Sequence, residues 1–490
     1  MSNLVKKLAG ETALYGLSSI VGRLLNYLLV PLHTRLFLEA EYGVVSHLYA
    51  LSGFLMVVFS YRMESAFFRF GTPAEDRDRA YSTGVISLLV SGAVITGLLV
   101  LFAQPVANVL QYPQHPEYIR WFALMLVFDG LCELPFARLR LEQRPVRFVS
   151  AKIFNICLNV SLNLFWLLFC PWAAQQGWGW VRWVWSPEGG VAYVFLANLI
   201  ASAATLVLLS PQLRAVQLAF DWALWRKMLA YAAPLILVGM AGIMDEMFSR
   251  AMLKYLLPGT PQENLGQVGI FGANYKLAAL ITLFTQAYRY AAEPFFFRHA
   301  AERDALKTQA DAAKWFTIAA ATGMLGILLF LDVLKIFIDE RYYGGLTVVP
   351  ILLMANLFLG LYYNFSVWYR LKDRTMLGAW ISIAGAVITV ALNLLWIPRY
   401  GYVGAAWVTL ICYAFMAWAT WFTGRKPHPV PYALGRMAVY VAFALALYAL
   451  SAWAAPFLEK PPVLLWALRA GMFAGYLGLI YRWELRSALE

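Results

Sequence analysis

The residues of this sequence that could do chemistry are charged side chains inside long apolar segments. Arg23, Asp129, Asp245, Glu246 and Lys276 each lie about 10 Å or more from the nearest end of their segment, at about 1.5 Å per helical residue. A charge at the centre of a bilayer costs about 2.5 to 3.5 kcal/mol, so such side chains usually face a partner or a water-filled cavity. These positions are therefore candidates for binding a charged substrate or an ion.

The acidic members of this set suggest two kinds of chemistry. A carboxyl group in a dry cavity can take up a proton near neutral pH, which makes Asp129, Glu133, Asp245 and Glu246 ion-coupling candidates. The same groups could instead be fixed counter-ions for Arg23, and the sequence does not rank the two. Asp129 and Glu133 are four residues apart and share one helix face.

Amide side chains add polar positions to the same segments. Arg23 and Asn26 share a face, and Asn155, Asn159 and Asn163 form a stripe along one helix. Such a stripe is typical of hydrogen bonds between helices, although it could also face a cavity. The amides predicted to line a cavity are Asn26, Asn155, Asn159 and Asn274.

The elements that carry these residues must be membrane helices. Hydrophobic residues make up 61% of the 490-residue chain and charged residues only 13%, whereas soluble domains are about a quarter charged. The sequence therefore predicts an all-α polytopic membrane protein with about 14 transmembrane helices. The apolar segments lie near residues 10–36, 42–63, 81–103, 117–138, 148–170, 190–210, 228–257, 268–290, 313–338, 346–369, 376–398, 402–423, 432–454 and 463–482.

Lysine and arginine fall mainly in alternate loops, which the positive-inside rule places in the cytoplasm. Both termini are then cytoplasmic, in agreement with an even number of helices. The net charge of +12 reflects membrane topology and does not indicate nucleic-acid binding. The four cysteines lack metal-ligand spacing, so neither a metal site nor a disulfide is expected. The first apolar segment has no cleavage site and is expected to remain attached.

The chain contains an internal repeat at an offset of 226 to 230 residues. Gly43 aligns with Gly269, the pattern E-x-x-F-F-R at Glu64 recurs at Glu293, and RLEQR from Arg140 recurs as RLKDR. Two parallel six-helix repeats around a central cavity, with two additional C-terminal helices, are therefore expected. The predicted boundaries are 1–222 for the N-lobe with helices 1–6, 223–425 for the C-lobe with helices 7–12, and 426–490 for helices 13 and 14. Glu64 and Glu293 then mark equivalent helix ends, each paired with a nearby arginine.

One insertion breaks the repeat. Pro171 and Gly190 are nineteen positions apart, whereas the corresponding Pro398 and Gly404 are six apart. The inserted stretch PWAAQQGWGWVRWVWSPEGG lies on the predicted outer side and contains five tryptophans. Tryptophan rings settle at the membrane interface, which is the simpler interpretation, and stacking on sugar rings is the alternative.

Several motifs resemble those of a known family. NLLWIPRYGYVGAAWVT from Asn393, YGLSSIVGRLLNYLLVPLHTRLF from Tyr15 and EYGVVSHLYAL from Glu41 are similar to bacterial polysaccharide flippases. These form the lipid-linked oligosaccharide branch of the multidrug/oligosaccharidyl-lipid/polysaccharide exporter superfamily. The likeness extends over nearly the whole chain. Where the family often has an Asp-Arg pair late in helix 7, this chain has Ser249-Arg250, so ion coupling is not transferred to that position.

The resemblance implies a flippase, not an enzyme, that works by alternating access. Its substrate would be a polyprenyl-diphosphate-linked oligosaccharide, moved from the cytoplasmic to the outer leaflet of the cell inner membrane for surface polysaccharide such as lipopolysaccharide O-antigen. Arginine and lysine neutralise phosphate, and the diphosphate candidates are Arg23, Arg62, Lys276 and Arg289. H+ or Na+ is the candidate coupling ion. The protein is expected to act as a monomer, with a polysaccharide polymerase and glycosyltransferases as candidate partners.

The alternatives to a flippase are a multidrug exporter and a membrane polysaccharide polymerase or ligase. An ion-coupled multidrug exporter of the same superfamily would favour an acidic or aromatic cavity, yet the first segment has Arg23 and Arg35 and no acid beyond Glu11. A membrane polysaccharide polymerase or ligase would need catalytic residues in a sizeable outer loop. The predicted outer loops reach only about twenty residues, and His115 lies in a short turn beside prolines.

Overall fold

The architecture is entirely helical in the part of the chain that the structure describes. A computed structural model describes residues 27–73, 75–243, 247–298, 304–372, 374–458 and 462–485. Up to residue 256 the α-helices are α1 (Leu29–Leu36), α2 (Glu39–Ser60), α3 (Met63–Phe70), α4 (Arg77–Leu101), α5 (Ala103–Val109), α6 (Pro116–Leu141), α7 (Pro145–Leu164), α8 (Cys170–Gln175), α9 (Ala192–Leu208), α10 (Ser210–Leu213), α11 (Trp222–Ile243) and α12 (Ser249–Leu256). A π-helical turn (Phe165–Phe169) joins α7 to α8, and two 3-10 turns (Gly179–Trp183 and Pro187–Gly189) precede α9.

The second part of the chain continues in the same way. Its α-helices are α13 (Pro261–Ala278), α14 (Leu280–Arg298), α15 (Ala305–Leu329), α16 (Leu331–Leu334), α17 (Val348–Phe365), α18 (Val367–Leu371), α19 (Thr375–Gly424), α20 (Leu434–Leu458) and α21 (Pro462–Ile480). The 3-10 turns Lys335–Phe337 and Glu340–Gly345 lie between α16 and α17, and a π-helical turn (Tyr481–Leu485) follows α21. The prediction of an all-α fold is confirmed.

Helix boundaries follow local chemistry. The Glu41 carboxylate accepts a hydrogen bond from the Leu38 amide (2.8 Å) at the start of α2. Pro116 and Pro145 occupy the first turns of α6 and α7, where a missing N–H leaves no hydrogen bond unmade. Within α19, Gly401 has a φ of 58° and a ψ of −143°, which glycine adopts without a Cβ clash. The chain breaks there into the two helices that the motif around Pro398 predicts.

Hydropathy identifies which helices cross a membrane. Eight helices of the described chain are long and apolar enough, and nine if α13 and the first half of α14, bent by 47°, form one span. The eight are Glu39–Phe70, Arg77–Leu101, Pro145–Gln175, Ala305–Leu329, Val348–Leu371, Thr375–Gly424, Leu434–Leu458 and Val463–Glu484. The protein is therefore a multi-pass membrane protein, and the count of fourteen spans stays a prediction.

The chain divides into two compact units, residues 1–269 and 270–490. In the first unit, α6 lies centrally and packs against α2, α4 and α9. Its buried core includes Met63, Phe67, Tyr81, Leu134 and Met228, all without exposed surface. Met228 lies on α11, which packs against α2, α3 and α4.

The second unit is organised around α15 and α17. α17 packs along α19, and α15 packs against both α17 and α20. The C-terminal helices α20 and α21 pack on each other and on α15. At one end of this contact Arg469 pairs with Asp332 (2.5 Å), and at the other Lys314 pairs with the buried Glu484 (2.7 Å).

A reciprocal contact joins α2 to α13 within the first unit. A Cβ added to Gly43 would lie 1.9 Å from the carbonyl oxygen of Leu265, and one added to Gly269 would lie 2.0 Å from that of Glu39. Leu265 and Gly269 follow Glu39 and Gly43 at the lower offset of the sequence repeat. Gly43 therefore approaches Leu265, the repeat counterpart of Glu39, and Gly269 approaches Glu39 itself.

Candidate functional site

Four of the predicted site residues lie outside the part of the chain that the structure describes. They are Arg23, Asn26, Asp245 and Glu246. The side chain of Glu293 also lies outside it. The roles assigned to these residues therefore stay predictions.

A charged cluster lies within the first unit, formed by Arg62, Glu64, Asp129, Glu133 and Lys152. α6 carries Asp129 and Glu133 one turn apart, and both side chains are half-buried. Lys152 on α7 interacts electrostatically with both of them, and Arg62 and Glu64 interact with Glu133. The cluster thus brings two of the predicted ion-coupling residues and one predicted diphosphate residue together.

Arg62 is held by an unusual backbone. Tyr61 and Arg62, between α2 and α3, have φ values of 32° and 57°, in the left-handed region that residues with a Cβ rarely adopt. The Tyr61 hydroxyl is fixed by a hydrogen bond with Ser87 (2.6 Å). Strained backbone of this kind costs about 1–3 kcal/mol and clusters at functional sites. The apolar run therefore ends in a kink at Tyr61 and Arg62.

Glu64 has a different role from its neighbours. It pairs with Arg140 of α6, as the sequence predicted for this helix end, and the Arg140 guanidinium lies over the ring of Phe68 at 5.0 Å. The pair joins α3 to α6 next to the cluster. Glu64 is therefore a fixed anchor for the helix that follows Arg62.

The asparagine stripe makes contacts between helices. The Asn155 amide donates to the Thr205 hydroxyl of α9 (2.9 Å), and fully buried Asn163 pairs with His33 of α1 (2.9 Å). Asn163 also donates to the side chain of half-buried Asn159 (2.7 Å). Hydrogen bonds between helices thus account for the stripe's geometry, and a role of Asn155 and Asn159 in lining a cavity stays a prediction. His33 was not singled out in the sequence.

The remaining predicted residues lie in the second unit. Asn274 is fully buried, and its amide donates to the carbonyl of Tyr342 (2.8 Å), which ties α13 to the turn before α17. Lys276, one turn from the end of α13, is half-buried and engages neighbouring groups. Arg289 is exposed on α14, and its guanidinium lies 4.6 Å from the centre of the Tyr363 ring.

Sequence reasoning missed several buried charges, and Lys254 is more deeply buried than Arg469 or Glu484. Lys254 is 1% exposed, its ammonium donates to the Leu110 carbonyl, and it lies 3.4 Å from the centre of the Tyr112 ring. The Tyr112 hydroxyl is in turn hydrogen-bonded to Nδ1 of His47 (3.0 Å). Burial raises the pKa of Tyr112 well above its ordinary value, which keeps this hydroxyl neutral. The group joins α12, α2 and the segment before α6.

Metal chemistry has no apparent site in the part of the chain that is described. No three His, Cys, Asp or Glu side chains are grouped there as metal ligands would be. The chemistry that the charged cluster supports is instead the binding of an anion by Arg62 or Lys152 and the exchange of a proton at a carboxylate.

Comparison with known proteins identifies the fold. The family profile described as "Polysaccharide biosynthesis protein" matches residues 32–282, just over half of the chain. A structure described as "Lipid II flippase MurJ, inward closed conformation" has a TM-score of 0.72 at 12% identity, covering 96% of this chain and 99% of that one. An inward-facing "multidrug resistance MATE family transporter of the MOP superfamily" has a TM-score of 0.61 at 15% identity, covering 79% and 93%. Among curated protein sequences, none matches. The fold is therefore a transporter fold.

Proposed function

Because the chain belongs to the polysaccharide biosynthesis protein family, we propose that it is a flippase for a polyprenyl-diphosphate-linked oligosaccharide. The substrate moves from the cytoplasmic to the outer leaflet of the inner membrane by alternating access, and the product feeds synthesis of a surface polysaccharide such as O-antigen. Family membership supports the pathway. The fold shared with a lipid II flippase supports a lipid-linked anionic substrate.

The single observation that carries this proposal is the charged cluster around Arg62. A diphosphate crossing the bilayer must exchange its hydration shell for charge-assisted hydrogen bonds, which arginine supplies in bidentate form. The left-handed backbone at Tyr61 and Arg62 and the interaction of Arg62 with Glu133 support this role for Arg62, and the exposed Lys152 is proposed as a second cation. Arg23, Lys276 and Arg289 are proposed as further contacts to the same headgroup.

Glu133 and Asp129 give the cluster a means of release. In the absence of substrate, Glu133 balances the charge of Arg62, and a proton taken up by Glu133 would free Arg62 for the diphosphate. Coupling of transport to an H+ or Na+ gradient would follow from such an exchange. The same geometry would also hold a permanent ion pair of Glu133 and Arg62 that exchanges no proton. The E133Q and D129N variants distinguish this ion pair from proton exchange.

The proposal is tested by R62A against R69A, measured as flipping of a fluorescent polyprenyl-diphosphate glycan in proteoliposomes. Arg69 lies in the last turn of α3, the short helix that follows Arg62, and is exposed. A hydrogen bond to a charged group contributes about 1.5–3 kcal/mol, so R62A is expected to slow flipping by roughly tenfold or more. R69A is expected to flip at nearly the wild-type rate. Equal rates for the two variants, at equal reconstitution, would exclude Arg62 from substrate binding.

Ion coupling is tested with D129N and E133Q under an imposed pH or sodium gradient. If Glu133 carries the proton, E133Q is expected to lose the gradient dependence of flipping while a basal rate remains. D129N serves as the matched variant one turn away. Unchanged gradient dependence in both variants would leave these acids as fixed counter-ions.

A multidrug exporter is the second candidate, because a MATE transporter shares the fold. It predicts uptake of cationic dyes into inverted vesicles, and R62A would leave that uptake unchanged or raise it. A membrane polymerase or ligase is a weaker candidate for this transporter fold. Four further parts of the proposal rest on the sequence alone. They are cytoplasmic termini, a monomeric state, lobe boundaries at residues 222 and 425, and glycosyltransferase or polymerase partners.

A further inference from the structure

The segment from α8 to the start of α9 carries the five inserted tryptophans and has no part in the proposed transport step. We call residues 172–185 the aromatic loop. It contains Trp172, Trp178, Trp180, Trp183 and Trp185, and the second half of the sequence repeat has no counterpart of it. A feature present in one half only is not needed for the shared architecture of both, so it calls for a separate explanation.

The rings of this loop pack onto the end of the preceding helix. Phe165 and Phe169 of the π-helical turn stack at 5.6 Å, and Trp180 stacks on Phe165 at 6.4 Å. Trp178 contacts both Phe169 (5.9 Å) and Trp172 (5.6 Å) edge to face. The rings therefore form one continuous aromatic surface on the helix end.

The loop is held in place although its rings are exposed. Val181 is fully buried, and the amides of Trp178 and Trp185 donate to the carbonyls of Ala173 (3.0 Å) and Val181 (2.9 Å). Trp183 is nonetheless 90% exposed, and Trp172, Trp178 and Trp180 are between 43% and 49% exposed. Holding this much apolar surface in water would cost roughly 25 cal/mol per Å². A surface built in this way is expected to be covered by something apolar.

The exposed surface continues that of a membrane-spanning helix. In the span Pro145–Gln175 only 17% of the most apolar window is buried, so this helix presents most of its side chains to lipid. Its exposed stripe includes Phe154, Leu164 and Leu168 and runs on to Trp172, where the loop rings begin. Ser161 is the exposed polar residue on this face, and no charged side chain interrupts it between Phe154 and Trp172. Lipid that covers the stripe therefore reaches the aromatic loop.

We propose that the aromatic loop is seated in the headgroup and upper acyl layer of the bilayer, on the side that the charge pattern predicts to be the outer one. Indole rings prefer this layer because they have an apolar body and one N–H donor. Arg182, next to Trp183, is exposed and is placed to meet lipid phosphates. The loop fixes the depth of the end of α7 and of the start of α9 in the first unit.

A sugar-binding platform fits these observations less well. Such a platform needs ring faces that are free for stacking, whereas Phe165, Phe169, Trp178 and Trp180 engage one another. Trp183 is the most exposed of these rings, and its neighbour in sequence is the cation Arg182. Seating in the bilayer is therefore favoured over glycan binding, and the experiment below distinguishes the two.

The test is a depth measurement by spin labelling. In a full-length protein with Cys132, Cys157, Cys170 and Cys412 replaced by serine, a nitroxide is attached at W183C or, as the matched control, at E188C. Glu188 is exposed on the same connection but outside the ring cluster. In vesicles of phosphatidylcholine and phosphatidylglycerol, the ratio of oxygen to nickel-chelate accessibility is expected to be severalfold higher at position 183 than at position 188.

Equal ratios at the two positions would place the loop in water and overturn the proposal. A fall in accessibility at position 183 on adding a soluble glycan, but not on changing lipid, would also overturn it in favour of a sugar platform. R182C supplies a second labelled position if W183C does not reconstitute. None of these readouts requires transport, so failure of the flippase proposal would not affect them.

Discussion

Lys254 shows what a single buried charge requires in this fold. It lies at the end of α12 with the Leu110 carbonyl and the Tyr112 ring as its partners, and no carboxylate of the described chain lies within ion-pair distance. Replacing a buried charge by an apolar group of similar volume is often neutral or stabilising. We therefore expect K254M to unfold at or above the wild-type temperature, whereas K254A, which leaves a cavity, loses about 2–4 kcal/mol. Thermal unfolding in detergent measures both.

Equal losses in K254M and K254A would contradict this expectation. They would mean that the ammonium group itself holds the site together through the Leu110 carbonyl and the face of Tyr112. Y112F is the control for the neighbouring contact, because it keeps the ring under Lys254 and removes only the hydroxyl that binds His47.

Single residues also mark the limit of sequence reasoning. A lysine three residues from the end of an apolar segment normally extends its ammonium to water, so burial of Lys254 is not expected. Its partners Leu110 and Tyr112 are more than a hundred residues away in sequence, which no local pattern reveals. The kink at Tyr61 and Arg62 is hidden for another reason, because these side chains do not favour a left-handed backbone. By contrast, the pairing of Glu64 with an arginine was predictable from its place at a helix end.

At the scale of elements, the C-terminal pair α20 and α21 is joined to α15 and α16 by charges. Burial alone would raise the pKa of Asp332, but hydrogen bonds from Arg469 and Lys335 outweigh it and hold that pKa below its ordinary value. The stability from Asp332 is therefore present above the ordinary pKa and lost as pH falls through the lowered one. We expect D332N to lower the unfolding temperature at pH 7 and to remove part of the loss seen on acidification below about pH 4.

The matched variant for this pair is R469M. Arg469 is 8% exposed, so D332N leaves a buried guanidinium without its carboxylate, whereas R469M removes the buried charge. D332N is expected to be the more destabilising of the two in thermal unfolding. The opposite order would show that Asp332 contributes little and that Arg469 is held by Ser451 and packing.

Elements were the scale at which the sequence was most informative. Apolar segments near 81–103, 313–338 and 432–454 each contain most of a helix, because a spanning segment must satisfy its backbone hydrogen bonds internally. The break at Gly401 followed from Pro398 and the glycines around it. The short helices α3 and α5 were not predicted, and α12 was not distinguished within the apolar segment 228–257, because their ends are set by tertiary contacts and not by apolar periodicity.

At the scale of the first unit, α2 and α13 approach each other closely at Gly43 and Gly269. A methyl group at either position would collide with a backbone carbonyl, which cannot move aside as a side chain can. We expect G43A and G269A each to destabilise the arrangement seen here by about 1–3 kcal/mol. Because the contacts are reciprocal, the two losses should be similar in thermal unfolding. G97A is the control, since Gly97 lies within α4 with no neighbouring atom within 4 Å of an added Cβ.

The same variants bear on transport. If alternating access separates these two helices, G43A and G269A weaken the arrangement seen here, and cysteines placed beside the crossing are expected to react faster with a membrane-impermeant maleimide than in G97A. Replacing a helical glycine by alanine where space allows stabilises by about 0.5–1 kcal/mol, so G97A should unfold at or above the wild-type temperature. If G43A and G269A match G97A in both stability and labelling, the glycines are not what allows the two helices to approach. The two glycines would then belong to the sequence repeat without a role in the packing of α2 against α13.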